Sequence, residues 1–290
     1  MRNSCVRSTC LWAVLGALVL STVASAAVTN VICVPWQGNP LRQHTALSGT
    51  PVQLKAVVKT DNTAVVYYKW IFGDGSESAV SSMSGSTQYN VETTHTYTAA
   101  VGTPFTAQLL VDPVDSSMLN AVADNYLLKI EESNLDARVN IAIDRGLWFL
   151  YKNKQVSGSY YYWTSYSSYY SSPTSAALQA FQINNHKEIN NFAEDPYAEA
   201  VQKGLRYIFA NRLAVTSIGP QTFGNPENST PPNNIAIYTN QSESPYETGQ
   251  VMDAIIASGT PDAIVPVGPA NIIGRTYKEI VQDMCDMYAW

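Results

Sequence analysis

The spacing of apolar residues changes once along this chain, close to Ser133, and no single layer of structure can satisfy both spacings. Up to about Glu132 the apolar side chains alternate. Val52, Leu54, Ala56 and Val58 share one face of PVQLKAVV, and Tyr68, Trp70 and Phe72 share one face of YYKWIF. Phe105, Ala107, Leu109 and Val111 alternate next, then Tyr126, Leu128 and Ile130. Period two with frequent turn residues predicts short, half-buried strands in an all-β sandwich. Beyond Ser133 the period lengthens to that of a helix. Ser133 is placed to cap a helix with Asp136 three residues on, and Val139, Ile143, Leu147 and Leu150 then form a stripe. Further helices are predicted after Pro173 (Ala177, Leu178, Phe181), after Pro196 (Val201, Leu205, Ile208, Phe209), from about Pro245 to Ala257, and over Tyr277, Ile280, Val281, Met284 and Met287. The expected organisation is multidomain, with an all-β unit over 27–132 and an all-α unit over 133–290.

The helical part also repeats itself, which constrains it more than any one helix does. Residues 142–150 (AIDRGLWFL) match 200–208 (AVQKGLRYI), 58 positions on. Thr174, Ala177, Leu178, Ala180 and Phe181 match Thr248, Val251, Met252, Ala254 and Ile255, 74 positions on, the extra length falling in a Pro/Asn/Ser-rich stretch from Gly219 to Ser244. Two helices per repeat predict a stack of helical hairpins.

Residues 1–26 read as a secretory signal. Arg2 and Arg7 form the charged start, Leu11 to Leu20 the apolar core, and Ala24-Ser25-Ala26 the small-residue cleavage site. The apolar run of ten is short of the roughly 20 residues that span a bilayer, and Cys5 and Cys10 precede it, where no lipid-bearing cysteine belongs. Export is therefore expected, to a periplasmic, cell-surface or extracellular place, with no membrane span after cleavage. Lys and Arg number 17 against 23 Asp and Glu, with no basic block. Nucleic acid and anionic membrane surfaces are thereby set aside as partners. Cys33 and Cys285 remain after cleavage; whether they pair is open at this stage, and two separately buried thiols is the simpler expectation.

Trp70-Ile71-Phe72-Gly73-Asp74-Gly75, followed by His95-Thr96-Tyr97, Gly102 and the strand end Leu109-Leu110-Val111-Asp112, resembles the PKD (polycystic kidney disease) domain. That resemblance implies an immunoglobulin-like β-sandwich that serves as a spacer or interaction module in extracellular proteins, without catalysis. The recurring A-[IV]-x-x-G-L helices resemble the α/α toroid repeats of terpenoid cyclases and protein prenyltransferases, a superfamily that includes non-catalytic proteins. A toroid needs more helices than the five predicted here, so 133–290 reads as an incomplete, truncated array.

Within the sandwich, Asp74 is expected to shape a turn rather than bind calcium, which wants 6 to 8 oxygens. His95 is expected to be a hydrogen-bonded structural residue, and Tyr97 to supply a phenolic hydrogen bond at a strand corner. In the helical part the D-x-D-D acid motif of cyclases is absent, and Cys285 and His186 alone do not make a prenyltransferase zinc set. No catalytic residue, metal or cofactor is expected. His186 is expected at an exposed helix end, and Asp283 and Asp286 on the solvated side of the last helix. Glu194-Asp195 before Pro196 suits a helix N-terminus. Glu243 and Glu247, four apart, are an acid/base candidate outweighed by a helix-start role for Glu247.

One segment stands out. Residues 158–170 read GSYYYWTSYSSYY. Tyr160, Tyr161, Tyr162, Trp163, Tyr166, Tyr169 and Tyr170 are the candidate ligand-binding residues, since flat amphipathic rings spaced by Ser and Gly stack on sugars or hydrogen-bond a partner at little entropic cost. The competing reading has the same rings closing the junction between helices and sandwich. The expected function is a non-catalytic binding or scaffold protein contacting envelope polysaccharide or protein. The alternative is a polysaccharide lyase or hydrolase, or a cyclase-like enzyme, whose catalytic residues lie beyond Trp290.

Overall fold

A computed structural model describes residues 25–165, 169–240 and 244–290. The signal-like segment, apart from Ser25 and Ala26, lies outside them, as do Tyr166 and Glu243.

Eight strands come first. A three-stranded sheet has the order β1-β3-β6, built from β1 (Val28–Cys33), β3 (Pro51–Thr60) and β6 (Gln88–Thr96). The facing sheet has the order β2-β8-β7-β4-β5, from β2 (His44–Ala46), β4 (Val66–Ile71), β5 (Ser81–Met83), β7 (Pro104–Asp112) and β8 (Val122–Ile130). All neighbours are antiparallel except β2 and β8. The alternating residues fill the space between the sheets: Leu54, Ala56, Val58, Ala107, Leu109, Val111, Leu128 and Ile130 are fully buried, with Trp70 among them. Gly73 takes φ +81, and a Cβ there would strike the Thr106 carbonyl oxygen, so only glycine fits this corner. Behind it Tyr97 donates its phenolic hydrogen to Phe72 O at 2.9 Å. Asp74 accepts from the Ser76 amide (3.0 Å) and hydroxyl (2.6 Å) in a local turn and from His95 Nε2 at 2.7 Å, while the His95 ring stacks on Phe72.

The helices follow: α1 (Leu135–Lys152), α2 (Ser171–Ile183), α3 (Pro196–Asn211), α4 (Ser244–Ala257) and α5 (Tyr277–Ala289). Asn134 rather than Ser133 caps α1, its side chain accepting from Ala137 N at 2.9 Å. Asp195 caps α3, accepting from Tyr197 N and Ala198 N ahead of Pro196. Two short hairpins interrupt what the periodicity presents as purely helical: β9 (Gln155–Ser157) with β10 (Tyr160–Tyr162), and β11 (Leu213–Ser217) with β12 (Ile235–Thr239). Gly158 at φ +59 opens the two-residue turn of the first, and β-branched and aromatic residues supply both. Each unit is thus helix, hairpin, helix, and the unit occurs twice before α5. Helix α2 packs against both α3 and α4.

The two halves share a wall. On β3, Val52, Leu54, Ala56 and Val58 face the sandwich core, whereas Val57 belongs with the helical core, as does Val34. The stripe expected on α1 is only partly buried: Leu147 is covered, but Val139 is exposed. Helix α1 meets the sheet with different residues, because the sheet offers charges there. Asp144 pairs with Lys55, Trp148 Nε1 donates to Glu92 at 2.5 Å, Lys152 reaches Glu92 at 2.8 Å, and Gln88 Nε2 donates to the Tyr151 hydroxyl at 3.2 Å. Lys59 adds a 2.6 Å contact to Glu199 of α3.

Three further expectations are corrected. His186 is buried, not exposed: α2 ends at Ile183 and the chain folds back, so Asp195 can hold His186 Nδ1 at 3.0 Å while serving as the α3 cap. Asp283 and Asp286 are also buried, because the 228–233 loop lies over that face of α5 and satisfies them. Ser229 Oγ donates to both, Asn233 Nδ2 and Arg275 Nη1 (2.6 Å) bind Asp283, and Gln282 Nε2 binds Asp286. Cys33 is buried and Cys285 exposed, both as free thiols, so only one of the two is the inert hydrophobe expected.

Candidate functional site

The tyrosine-rich segment is positioned by the β9–β10 hairpin, whose pleat sends alternate side chains to opposite sides. Tyr161 turns inward and is buried. Lys203 Nζ lies 4.5 Å from its ring centroid and donates to its hydroxyl at 3.3 Å. Lys154 Nζ sits 3.5 Å over the Tyr151 ring and donates to Tyr151 O, and burial brings its pKa down to about 8. Trp163 is buried as well: its Nε1 donates to Leu150 O at 2.8 Å, its ring meets Phe181, and Thr174 Oγ1 bridges its backbone N and O. The faces of Tyr161 and Trp163 are thus occupied by the protein itself.

Tyr160, Tyr162, Tyr169 and Tyr170 keep part of their surface in solvent. Tyr162 stacks on Tyr207 of α3 with centroids 4.8 Å apart and planes 16° from parallel, and meets Tyr170 edge-on at 5.7 Å. The Arg212 guanidinium, just past α3, lies 4.9 Å from the Tyr170 ring and 5.3 Å from Tyr207. Burial raises the Tyr207 pKa, against the pull of Arg212. The result is a small surface of rings, hydroxyls and one delocalised cation, able to stack on a flat face and to donate hydrogen bonds. Tyr207 and Arg212 join the site only through the fold. Their spacing from the tyrosine run carries no local signal, since a helix turn and a hairpin must close before the three meet. Tyr166 lies outside the described residues.

Of the carboxylate pair Glu243 and Glu247, only Glu247 lies among the described residues. Glu247, buried in the first turn of α4, accepts from the Ser172 hydroxyl of α2 at 3.2 Å and ties the two helices together. Among the described residues there is no group of three or more His, Cys, Asp or Glu arranged to hold a metal, and no helix is long and apolar enough to cross a membrane.

Residues 41–112 match the family model of the PKD domain, about a quarter of the chain. No curated protein matches the sequence. Solved structures with partial likeness include the PKD domain of an M14-like peptidase from a Thermoplasmatales archaeon, at 13% identity over 38% of this chain and 98% of that one, with a TM-score of 0.26. A CARDB domain from Pyrococcus furiosus aligns at 8% identity over 37% of this chain and 89% of its own, TM-score 0.26. A family 76 glycoside hydrolase from a bovine Bacteroides thetaiotaomicron strain aligns at 9% identity over 64% of this chain and 40% of its own, TM-score 0.22. The β-rich half of this chain therefore carries a PKD domain of immunoglobulin-like architecture, matched over residues 41–112, and a helical region follows it.

Proposed function

We propose that this is an exported, non-catalytic binding or scaffold protein, in which the PKD sandwich is a platform and the helical region contacts an envelope polysaccharide or protein. The observation that carries the reading is the half-exposed Tyr162–Tyr170 pair, backed by Tyr207 and Arg212. Rings held by packing lose little entropy when a ligand stacks on them. Export is supported by the signal-like sequence of residues 1–26 and by the PKD match, a domain typical of extracellular proteins. In this reading the two helix–hairpin–helix units are consecutive members of a toroid-like array; the repeated order of elements and the packing of α2 on α4 support it.

Affinity electrophoresis on a panel of envelope polysaccharides tests the reading. Retardation on one glycan that disappears in the Tyr162→Ala/Tyr170→Ala double variant is the expected result. Retardation that persists in that variant would overturn the role of these rings. Tyr161→Ala is unsuitable for the purpose, because it alters packing.

A further inference from the structure

The two helix–hairpin–helix units differ at one charge pair. On α3, Glu199 and Lys203 form an i,i+4 ion pair at 2.9 Å, and Glu199 also receives Lys59 of β3. Counted back 58 positions, Glu199 becomes Ile141 and Lys203 becomes Arg145 on α1. The cation is kept and its acid is gone. Arg145 and Arg138, two turns earlier on the same helix, have no ion-pair partner among the described residues, in a chain whose acidic residues outnumber its basic ones. Asp144, beside them on α1, is taken by Lys55, and Glu92 of β6 is taken by Lys152 and Trp148.

Both arginines line a cleft of about 270 Å³ between α1 and the β2–β3 corner of the sandwich. Most of the remaining lining is apolar. Ile141 lies between the arginines on α1, and Leu47 and Val52 supply the sandwich side. Ile141 and Leu47 are half-buried and belong to neither core, so their apolar surface is turned to the cleft without a packing partner in either half. Arg145 is held in place by donating from Nη2 to Pro51 O at 3.3 Å, which leaves other N–H groups of the guanidinium for a ligand. Its field reaches buried Lys55, whose charged form it disfavours.

We infer that this cleft binds a small amphipathic carboxylate, its charged end on Arg145 and Arg138 and its apolar body against Ile141, Leu47 and Val52. A guanidinium presents a planar fork that matches a planar carboxylate, and the apolar walls between and opposite the arginines ask for a ligand that is more than a bare anion. The volume of about 270 Å³ falls just under the about 300–1,000 Å³ usual for ligand pockets. The body is therefore one ring or a short acyl chain. No residue of the tyrosine-rich surface takes part, so the inference stands apart from the proposed polysaccharide contact.

Saturation-transfer NMR and calorimetry on the full chain test it, with phenylacetate as the probe and phenylacetamide, acetate and sulfate for comparison. Phenylacetate is expected to bind about tenfold or more tighter than the amide, which lacks the charge, and than acetate, which lacks the body. Ile141→Glu gives α1 the acid that α3 already has, and it should erase the preference for phenylacetate over its amide. Arg145→Met should do the same, and Arg138→Met should weaken phenylacetate by a smaller factor. Ile141 belongs to neither core, and the Arg138 side chain makes no hydrogen bond among the described residues, so Ile141→Glu and Arg138→Met should keep the wild-type urea midpoint. Equal binding of acid and amide, a preference that survives either Ile141→Glu or Arg145→Met, or no binding of phenylacetate up to about 10 mM would overturn the inference. So would sulfate that displaces phenylacetate at equal concentration, which marks a site for any anion, or an N-acetylated peptide ending in a free Phe carboxylate that binds more tightly, which assigns the cleft to a polypeptide terminus.

Discussion

Lys55 of β3 and Asp144 of α1 form an ion pair at the seam between the two cores, with the lysine completely buried. Lys55 Nζ also donates to Asp144 O at 3.2 Å, and His44 Nδ1 lies 3.3 Å from the carboxylate. Burial lowers the pKa of Lys55, and Asp144 opposes that shift. For Asp144, burial alone would raise the pKa, but Lys55 and His44 outweigh it and hold the carboxyl well below the usual carboxylate range. Removing one partner strands the other charge. Asp144→Asn is therefore expected to lose about 3–5 kcal/mol in urea unfolding, and the Lys55→Met/Asp144→Leu double variant to recover most of it. Equal losses in the single and double variants would contradict this account.

Asp74 gives a pH dependence of known sign. Slight burial would raise its pKa, but hydrogen bonds from Ser76 and His95 outweigh that and bring it down to about 2. A carboxyl with a depressed folded-state pKa stabilises the fold above its ordinary value of 3.8, and that contribution is lost as pH falls toward 2. Urea midpoints of wild type and Asp74→Asn should differ at about pH 5 and converge between about pH 4 and pH 2. A gap that does not change with pH would show that the carboxylate's charge is not what matters.

The repeat makes two equivalent glycines unequal. A Cβ on Gly204 of α3 would lie 2.5 Å from Leu178 Cδ2, deep in the core, whereas a Cβ on Gly146 of α1, 58 positions earlier, would meet nothing within 4 Å. Gly204→Ala is expected to destabilise by about 1–3 kcal/mol through overpacking. Gly146→Ala should stabilise by up to about 1 kcal/mol through helix propensity. Thermal unfolding of the two variants side by side checks the opposite signs.

Asp195 combines two roles, capping α3 and holding buried His186. Asp195→Ala should cost about 2–4 kcal/mol, more than a cap alone. Asp195→Asn, which can still accept hydrogen bonds at the cap, should cost clearly less. Chemical denaturation separates the two, and identical losses would mean that the cap contributes nothing.

Sequence periodicity is most informative where one face of an element is dry. The alternation in β3, β7 and β8 and the stripes of α2 and α3 are legible for that reason, as are the W-x-F-G-D-G turn and its glycine. It fails where polar groups are buried by distant partners. His186, Asp283 and Asp286 look like surface residues because the groups that satisfy them, Asp195 and the 228–233 loop, sit elsewhere in the chain or on another element. It fails again on α1, where Asp144 and Trp148 answer charges on the sheet that no helical pattern encodes. At the candidate site the tyrosine run is visible as composition, but the division into packed Tyr161 and Trp163 and half-exposed Tyr162 and Tyr170 comes from the hairpin pleat, too short to register as a strand. Arg212 and Tyr207 are recruited by folding alone.

Strand β3 is walled on both sides, with even-numbered residues in one core and Val57, Lys55 and Lys59 turned toward the other. Among the described residues, a strand shared in this way couples the two cores directly. Melting of either half removes a wall from its neighbour. The sandwich and the helices thereby draw part of their stability from one and the same strand.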